Sequence, residues 1–189
     1  PWPGAYTCYD SKILKILKKG QDLAATERVL RWASQLHYKI ELYLLIGSPG
    51  ETWDDFVKTI ELVERYPVMK ASFYQLLPYP NTELFEMVKK SGQLLRAPEE
   101  YLNDGSQRRN TPFFQTPEMS YEDRTRAFDY ANGRLKGHLK RVNRKFYREN
   151  AEEIFRRMGF KGRLADGMAA LYCTEFFHDH IFNSVLAKA

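Results

Sequence analysis

The four residues Gly47-Ser48-Pro49-Gly50 follow the apolar run Ile40 to Ile46 and lead into Thr52-Trp53-Asp54-Asp55-Phe56. The chemistry open to such a stretch is binding through the main chain. Glycines let a backbone come close to a ligand, and a helix N-terminus just past the turn presents N–H groups to it. Metal chemistry is less well served. Cys173, His178 and His180 are ligands by type, but His178 and His180 stand two apart and face different ways on a helix, so no metal site is expected from them. The other cysteine, Cys8, is far away in sequence. Two cysteines make no disulfide framework.

The elements around the turn follow from periodicity and caps. Ile40 to Ile46 is nearly continuous in apolar residues and of strand length, as in a parallel strand covered on both faces. Thr52 with Asp55 three residues on is a capping-box signature for a helix from Trp53 to Arg65, with Phe56, Ile60 and Val63 on one side. Upstream, Ser11 caps a helix from Lys12 to Lys19, stopped by Gly20, and a second helix runs from Asp22 to Leu36. Downstream, Met69 to Leu77 reads as a strand that ends in the two-proline loop Leu77-Pro78-Tyr79-Pro80-Asn81-Thr82, and Glu83 to Lys90 as a short helix. Strands alternating with helices imply an α/β fold with a parallel sheet and right-handed crossovers.

Beyond that, Gln93 to Pro117 reads as a long connecting loop, of the length that is usually functional or disordered. Ser120 with Asp123 starts a helix from Tyr121 to Arg148, with Phe128, Ala131, Leu135, Leu139, Val142 and Phe146 in one stripe. A last helical region spans Ala151 to Val185, interrupted around Gly159 to Gly167. The domain reading is therefore 1–92, a connecting loop at 93–119, and a helical C-terminal domain at 120–189.

The chain has 189 residues, enough to bury a sizeable core, and 29 Lys and Arg against 24 Asp and Glu give a net charge of +5. The excess is concentrated beyond residue 120. Arg134, Lys136, Lys140, Arg141, Arg144, Lys145 and Arg148 occur with no acid among them. The ordinary meaning is a solvated helix face; the alternative is an anionic partner, the acidic leader of a peptide or a nucleic acid. No stretch approaches the ~20 apolar residues of a membrane span, and with no signal peptide the cytoplasm is the default location. The first residue is Pro1, not Met, and residues 1–10 start in mid-element. A piece of a longer polypeptide is expected.

Taken together, Gly47-Ser-Pro-Gly-Glu-Thr-Trp-Asp-Asp-Phe56, Thr59, and Leu77-Pro-Tyr-Pro-Asn-Thr-Glu-Leu84 resemble the second half of the catalytic barrel of radical S-adenosylmethionine enzymes. The resemblance is closest to the group with an N-terminal cobalamin-binding domain. The usual family forms are Gly-Leu-Pro-Gly-Glu-Thr and Pro-Tyr-Pro-Gly-Thr; here Ser48 replaces Leu and Asn81 replaces Gly. Gly4-Ala-Tyr-Thr7 and Ile13 to Gly20 are similar to the family's fourth strand and its helix. Coverage is good over residues 4–90 and weak to 148.

The resemblance implies the C-terminal part of a partial (β/α) TIM-like barrel followed by a helical domain. It implies that Ile46, Gly47, Leu76 and Leu77 line the adenine of S-adenosylmethionine through their main chain. Tyr6 and Thr7 stand where the family has Glu-Ser or Gln-Ser at the ribose. Tyr79, Arg108 and Arg109 are the candidate substrate contacts, for a peptide or small natural product. The implied chemistry is radical methyl transfer, a methyltransferase with cobalamin as methyl carrier. From the residues themselves, no specific nucleic acid and no membrane is expected as a partner: no apolar span is present, and the basic helix has only Tyr147 as an aromatic platform. No catalytic residue is assigned. The 4Fe-4S iron–sulfur cluster needs Cys-x3-Cys-x2-Cys, which this chain lacks, so its thiolates are expected in an N-terminal remainder of the same polypeptide. Two other readings stay open: a cofactor-free descendant of the fold, and a binding module that grips an anionic macromolecule with the basic helix.

Overall fold

The computed structural model describes residues 5–7, 9–20, 22–103, 111–157, 159 and 162–172. Its centre is a three-stranded sheet, β1 (Ala5–Thr7), β2 (Ile40–Ile46) and β3 (Val68–Gln75), parallel throughout and in sequence order. Between β1 and β2 run α1 (Ser11–Ile16) and α2 (Leu23–Gln35), and between β2 and β3 runs α3 (Trp53–Arg65). The fold is mixed α/β, with a small parallel sheet and helices. Among the described residues no helix is long and apolar enough to cross a membrane.

Local chemistry accounts for the ends. Asp10, not Ser11, caps α1, its carboxylate accepting from Lys12 N and Ile13 N, and the helix stops after Ile16 because Lys18 and Gly20 both take positive φ. Asp22 caps α2 in the same way. Thr52 and Asp55 form the reciprocal capping box of α3. β3 ends at Gln75, two residues before the expected Leu77: Leu76 N makes the last ladder bond, to Ile46 O at 3.0 Å, and beyond it the partner strand is gone, because Gly47 leaves the extended conformation with φ +81.

The sheet is not equally covered on its two sides. Ile40, Leu42, Leu44 and Ile46 are buried, whereas Glu41, Tyr43 and Leu45 are only half-buried. The continuous apolar run therefore overstated the coverage of β2. Its less covered side carries the stacked pair Tyr43 and Tyr74, 6.3 Å between centroids, and the Glu41–Lys70 ion pair. The covered side builds the core with Phe56, Ile60, Leu62, Val63, Val68 and Phe73.

After α4 (Glu83–Lys90) the expected loop has structure of its own. It contains α5 (Pro98–Leu102), and Leu94 and Phe114 pair antiparallel, with Leu95 N donating to Phe113 O and Gln115 N to Gln93 O. The helix that follows, α6 (Tyr121–Arg157), starts at the Ser120–Asp123 capping box and runs nine residues past the expected end. Two compact units part inside it, after Leu139. Ala127, Ala131 and Leu135 are buried in the sheet unit's core, with Phe128 and Leu139 packed against it, which is why its first turns belong to that unit. The second unit holds the rest of α6 and α7 (Arg163–Tyr172), joined by an Arg156–Asp166 contact at 3.8 Å.

Candidate functional site at the strand ends

The C-terminal ends of β2 and β3 lie side by side. Leu76 N donates to Ile46 O, so Ile46, Gly47, Leu76 and Leu77 form one continuous edge of main chain. Gly47 has φ +81, outside the comfortable range of any residue with a Cβ, and Gly50 has φ +77. Between them the turn folds so that Glu51 reaches back, its Oε2 accepting from Gly47 N at 2.6 Å and Ser48 N at 2.9 Å. The carboxylate thus takes the two N–H groups that the turn would otherwise aim at a ligand.

From the other side comes Arg124, in the first turns of α6. Its Nη2 donates to Gly47 O at 2.7 Å and its Nε to Met119 O at 3.4 Å, while the guanidinium lies 4.1 Å from the centre of the Phe114 ring. A Cβ on residue 47 would overlap that guanidinium, whose Nε would stand only 2.9 Å away. Glycine at 47 therefore makes room for Arg124, and a ligand does not approach the Cα from that direction. Gln75, the last residue of β3, completes the group by donating from Nε2 to Arg124 O at 2.9 Å.

Glu51, Gln75 and Arg124 are all buried, at 1%, 4% and 0% exposure, and burial dominates the electrostatics of the two ionisable ones. It pushes the Glu51 carboxyl up to about 7, against the opposing pull of the two N–H donors and the Arg124 charge. It lowers Arg124 to about 10, with Glu51 and Glu118 pulling back. A carboxyl with this value exchanges its proton near neutrality.

The remaining expected residues fall as follows. Tyr6 and Thr7 are in β1, in register with Tyr43 and Leu44 of β2; their side chains lie outside the described residues. Tyr79 is half exposed, and the loop around it is closed by Thr82, whose N and Oγ1 both donate to Tyr79 O. Tyr101 Oη donates to Pro78 O at 2.6 Å, which ties α5 to that loop. A groove of about 560 Å³ opens beside it, lined by Pro80, Phe85, Lys89, Leu94, Pro98 and Leu102. Arg108 and Arg109, like Cys8, Cys173, His178 and His180, lie outside the described residues. Among the described residues no cluster of three or more His, Cys, Asp or Glu is placed to hold a metal ion.

Sequence reading missed Glu51, Gln75 and Arg124. Arg124 carried a usable signal, since with Ala127, Ala131 and Leu135 it falls on the apolar stripe of α6, where a charge needs a reason. In the basic run, Arg134 is committed to the fold. Its fork meets both oxygens of Glu64, Nε to Oε1 at 3.0 Å and Nη2 to Oε2 at 2.8 Å, and holds that carboxyl below its usual range. Lys145 pairs with Glu149 at 3.8 Å.

No family model matches the chain. A relative, the uncharacterized protein MJ0486 of Methanocaldococcus jannaschii, is 25% identical over 79 residues, 42% of this chain. The chain spans 24% of the length of that protein. No activity comes with the likeness.

Proposed function

We propose that the chain is part of a radical S-adenosylmethionine enzyme, a cobalamin-dependent methyltransferase acting on a peptide or small natural product, in which this segment frames the cofactor and substrate from the C-terminal half of a partial (β/α) barrel. The observation that carries the reading is the pairing of the Gly47-Ser-Pro-Gly50 turn with the Leu77-Pro-Tyr-Pro80 loop on the ends of neighbouring parallel strands. Ligands sit at the C-terminal edge of such sheets. Asn81 adds support. It stands where the family usually has glycine and takes φ +64, the left-handed region that Asn enters more easily than most residues.

The fit of S-adenosylmethionine to this edge is partial and specific. Gly47 N–H and Leu76 N–H are spent within the chain, but each carbonyl has two lone pairs, so Ile46 O and Gly47 O can each accept once more. Leu77 N–H and C=O have no partner among the described residues. That surface suits an edge bearing an amino donor, such as the adenine amino group. The iron–sulfur cluster does not fit this chain, whose sequence lacks the three closely spaced cysteines, and neither cobalamin nor the cluster is assigned a residue here.

The test is calorimetric titration of S-adenosylmethionine into the intact polypeptide, wild type and Leu77→Pro, with iron and sulfide determined after anaerobic reconstitution. Proline at 77 removes the open N–H and sets its ring Cδ in that place, so an amino-bearing ligand loses its partner there. Binding weakened about tenfold or more by the substitution, with the wild type holding iron, is expected. A polypeptide that takes up neither iron nor S-adenosylmethionine ends the proposal.

A further inference from the structure

The polar group at the end of β2 contains three loose ends. Glu51 Oε2 is used twice and Oε1 not at all; Arg124 Nε and Nη2 are bonded and Nη1 is not; Gln75 Nε2 is bonded and Oε1 is not. The three side chains belong to one network, since Glu51 and Arg124 hold the N–H and the C=O of the same Gly47 and Gln75 holds the carbonyl of Arg124. Glu51 and Arg124 make no ion pair within 4 Å, although each feels the charge of the other. A buried polar atom without a partner costs about 1–3 kcal/mol, so three in one network call for a common completing group.

The chemistry of the three atoms narrows that group. Gln75 Oε1 only accepts, Arg124 Nη1 only donates, and Glu51 Oε1 accepts when ionised and donates when protonated. One molecule serving all three must donate to Gln75, accept from Arg124, and do either at Glu51. A simple anion cannot donate to Gln75. A metal cation would face the Arg124 N–H groups. A water molecule meets every requirement in both protonation states, and it is the smallest group that does, as a cluster of three buried side chains requires.

We propose that Glu51, Gln75 and Arg124 enclose a bound water molecule, and that this hydrated cluster is a lock fixing Gly47 and the first turns of α6 at the strand ends, with Arg124 as its positioning residue. Arg124 is suited to the part because one side chain joins four separate places: Gly47 O, Met119 O, the Phe114 ring and the water. The inference is independent of which cofactor the strand ends bind. Asp55, which also faces Glu51 electrostatically, lies on α3 and is satisfied by Thr52 and Lys58, so it does not compete for the water.

The test combines a high-resolution crystal structure with hydrogen exchange on the intact polypeptide. An ordered water within hydrogen-bond distance of Arg124 Nη1 and at least one of Glu51 Oε1 and Gln75 Oε1 is expected, kept in Glu51→Gln. In Arg124→Lys, exchange in a peptide covering residues 46–51 should speed up by roughly tenfold or more, the loss of one good hydrogen bond, while residues 40–44 keep wild-type protection. A direct Glu51–Arg124 bond in the crystal with no water between them overturns the proposal. So does unchanged exchange over 46–51 in a folded Arg124→Lys. Should that variant lose protection everywhere, the wild-type and Glu51→Gln crystal structures decide by the presence or absence of the water.

Discussion

Replacing Glu51 by Gln should change how stability depends on pH, and the size of the change follows from the buried carboxyl. Burial raises Glu51 from 4.5 to about 7 in the folded chain, while the unfolded chain exposes an ordinary carboxyl. The folded state then holds the proton more tightly than the unfolded one. Stability from this group is complete below about pH 4.5 and is lost as pH rises through about 7, to a total of about 3 kcal/mol at 1.36 kcal/mol per unit. Asp55 and Glu64 act in the opposite sense. Asp55 is lowered because its Thr52 and Lys58 partners outweigh burial, and Glu64 by its bond from Arg134, so their contributions are lost as the medium becomes acidic. Wild type alone would mix these effects. The difference between wild type and Glu51→Gln cancels Asp55 and Glu64 and isolates residue 51, because Gln can still accept from Gly47 N and Ser48 N but never ionises. Urea unfolding at intervals from pH 4 to 8.5 should show the variant gaining on wild type by about 3 kcal/mol over that range, with most of the gain between pH 5 and 7.5. A difference constant to within roughly 0.5 kcal/mol would mean that Glu51 titrates alike in both states, and the account of the strand-end cluster given above would fail.

Gly47→Ala should destabilise the fold by about 1–3 kcal/mol, through a left-handed backbone and overlap with the guanidinium; a neutral result in thermal unfolding would remove Arg124 from its place over Gly47. Thr52→Ala, which opens the capping box of α3, should cost about 0.5–2 kcal/mol in urea unfolding, and no loss would contradict the cap. Random duplex or single-stranded nucleic acid should bind only at the non-specific level, about 10⁻⁴ to 10⁻⁶ M at physiological salt, because Arg134 is spent on Glu64 and the helix lacks a row of aromatic platforms. Sub-micromolar binding in fluorescence anisotropy, lost on changing Lys140 and Arg144 to Glu, would move the weight to the binding-module reading.

What could be read from the sequence was local. Ile40–Ile46, Trp53–Arg65 and Glu83–Lys90 come out residue for residue, because each is framed by its own signals: an apolar run ending in glycine, a Thr–Asp capping box, a Thr N-cap after two prolines. Ends without such frames slipped. Lys12 to Lys19 was expected to end at Gly20, yet Lys18 already takes φ +51, and nothing in the composition of Ile16 to Lys19 announces it. The stretch 93–117 looked structureless because its order comes from pairings at a distance, Leu94 with Phe114 and Tyr101 with Pro78. The candidate site failed to show for the same reason. Nothing next to Glu51 in the sequence marks it as buried, and Arg124, which meets it at Gly47, comes from 77 residues further on.

The two explanations of Gly47 lead to different sites. Close approach of a ligand and close approach of Arg124 both require glycine, and both leave the same mark in a sequence. In this fold the second applies, since the guanidinium occupies the side of Gly47 on which a Cβ would project and binds its carbonyl. What remains for a ligand is the edge running from Ile46 to Leu77, rich in free acceptor lone pairs, with Leu77 N–H as its open donor. A ligand edge that offers an amino group next to a ring acceptor pairs with such an edge, and one that offers only acceptors does not. Arg124 therefore does more than fill space. By consuming one lone pair of Gly47 O and holding that carbonyl in one direction, it sets where the other lone pair points, and under the proposed function this would set the orientation of the adenine amino group at the strand ends.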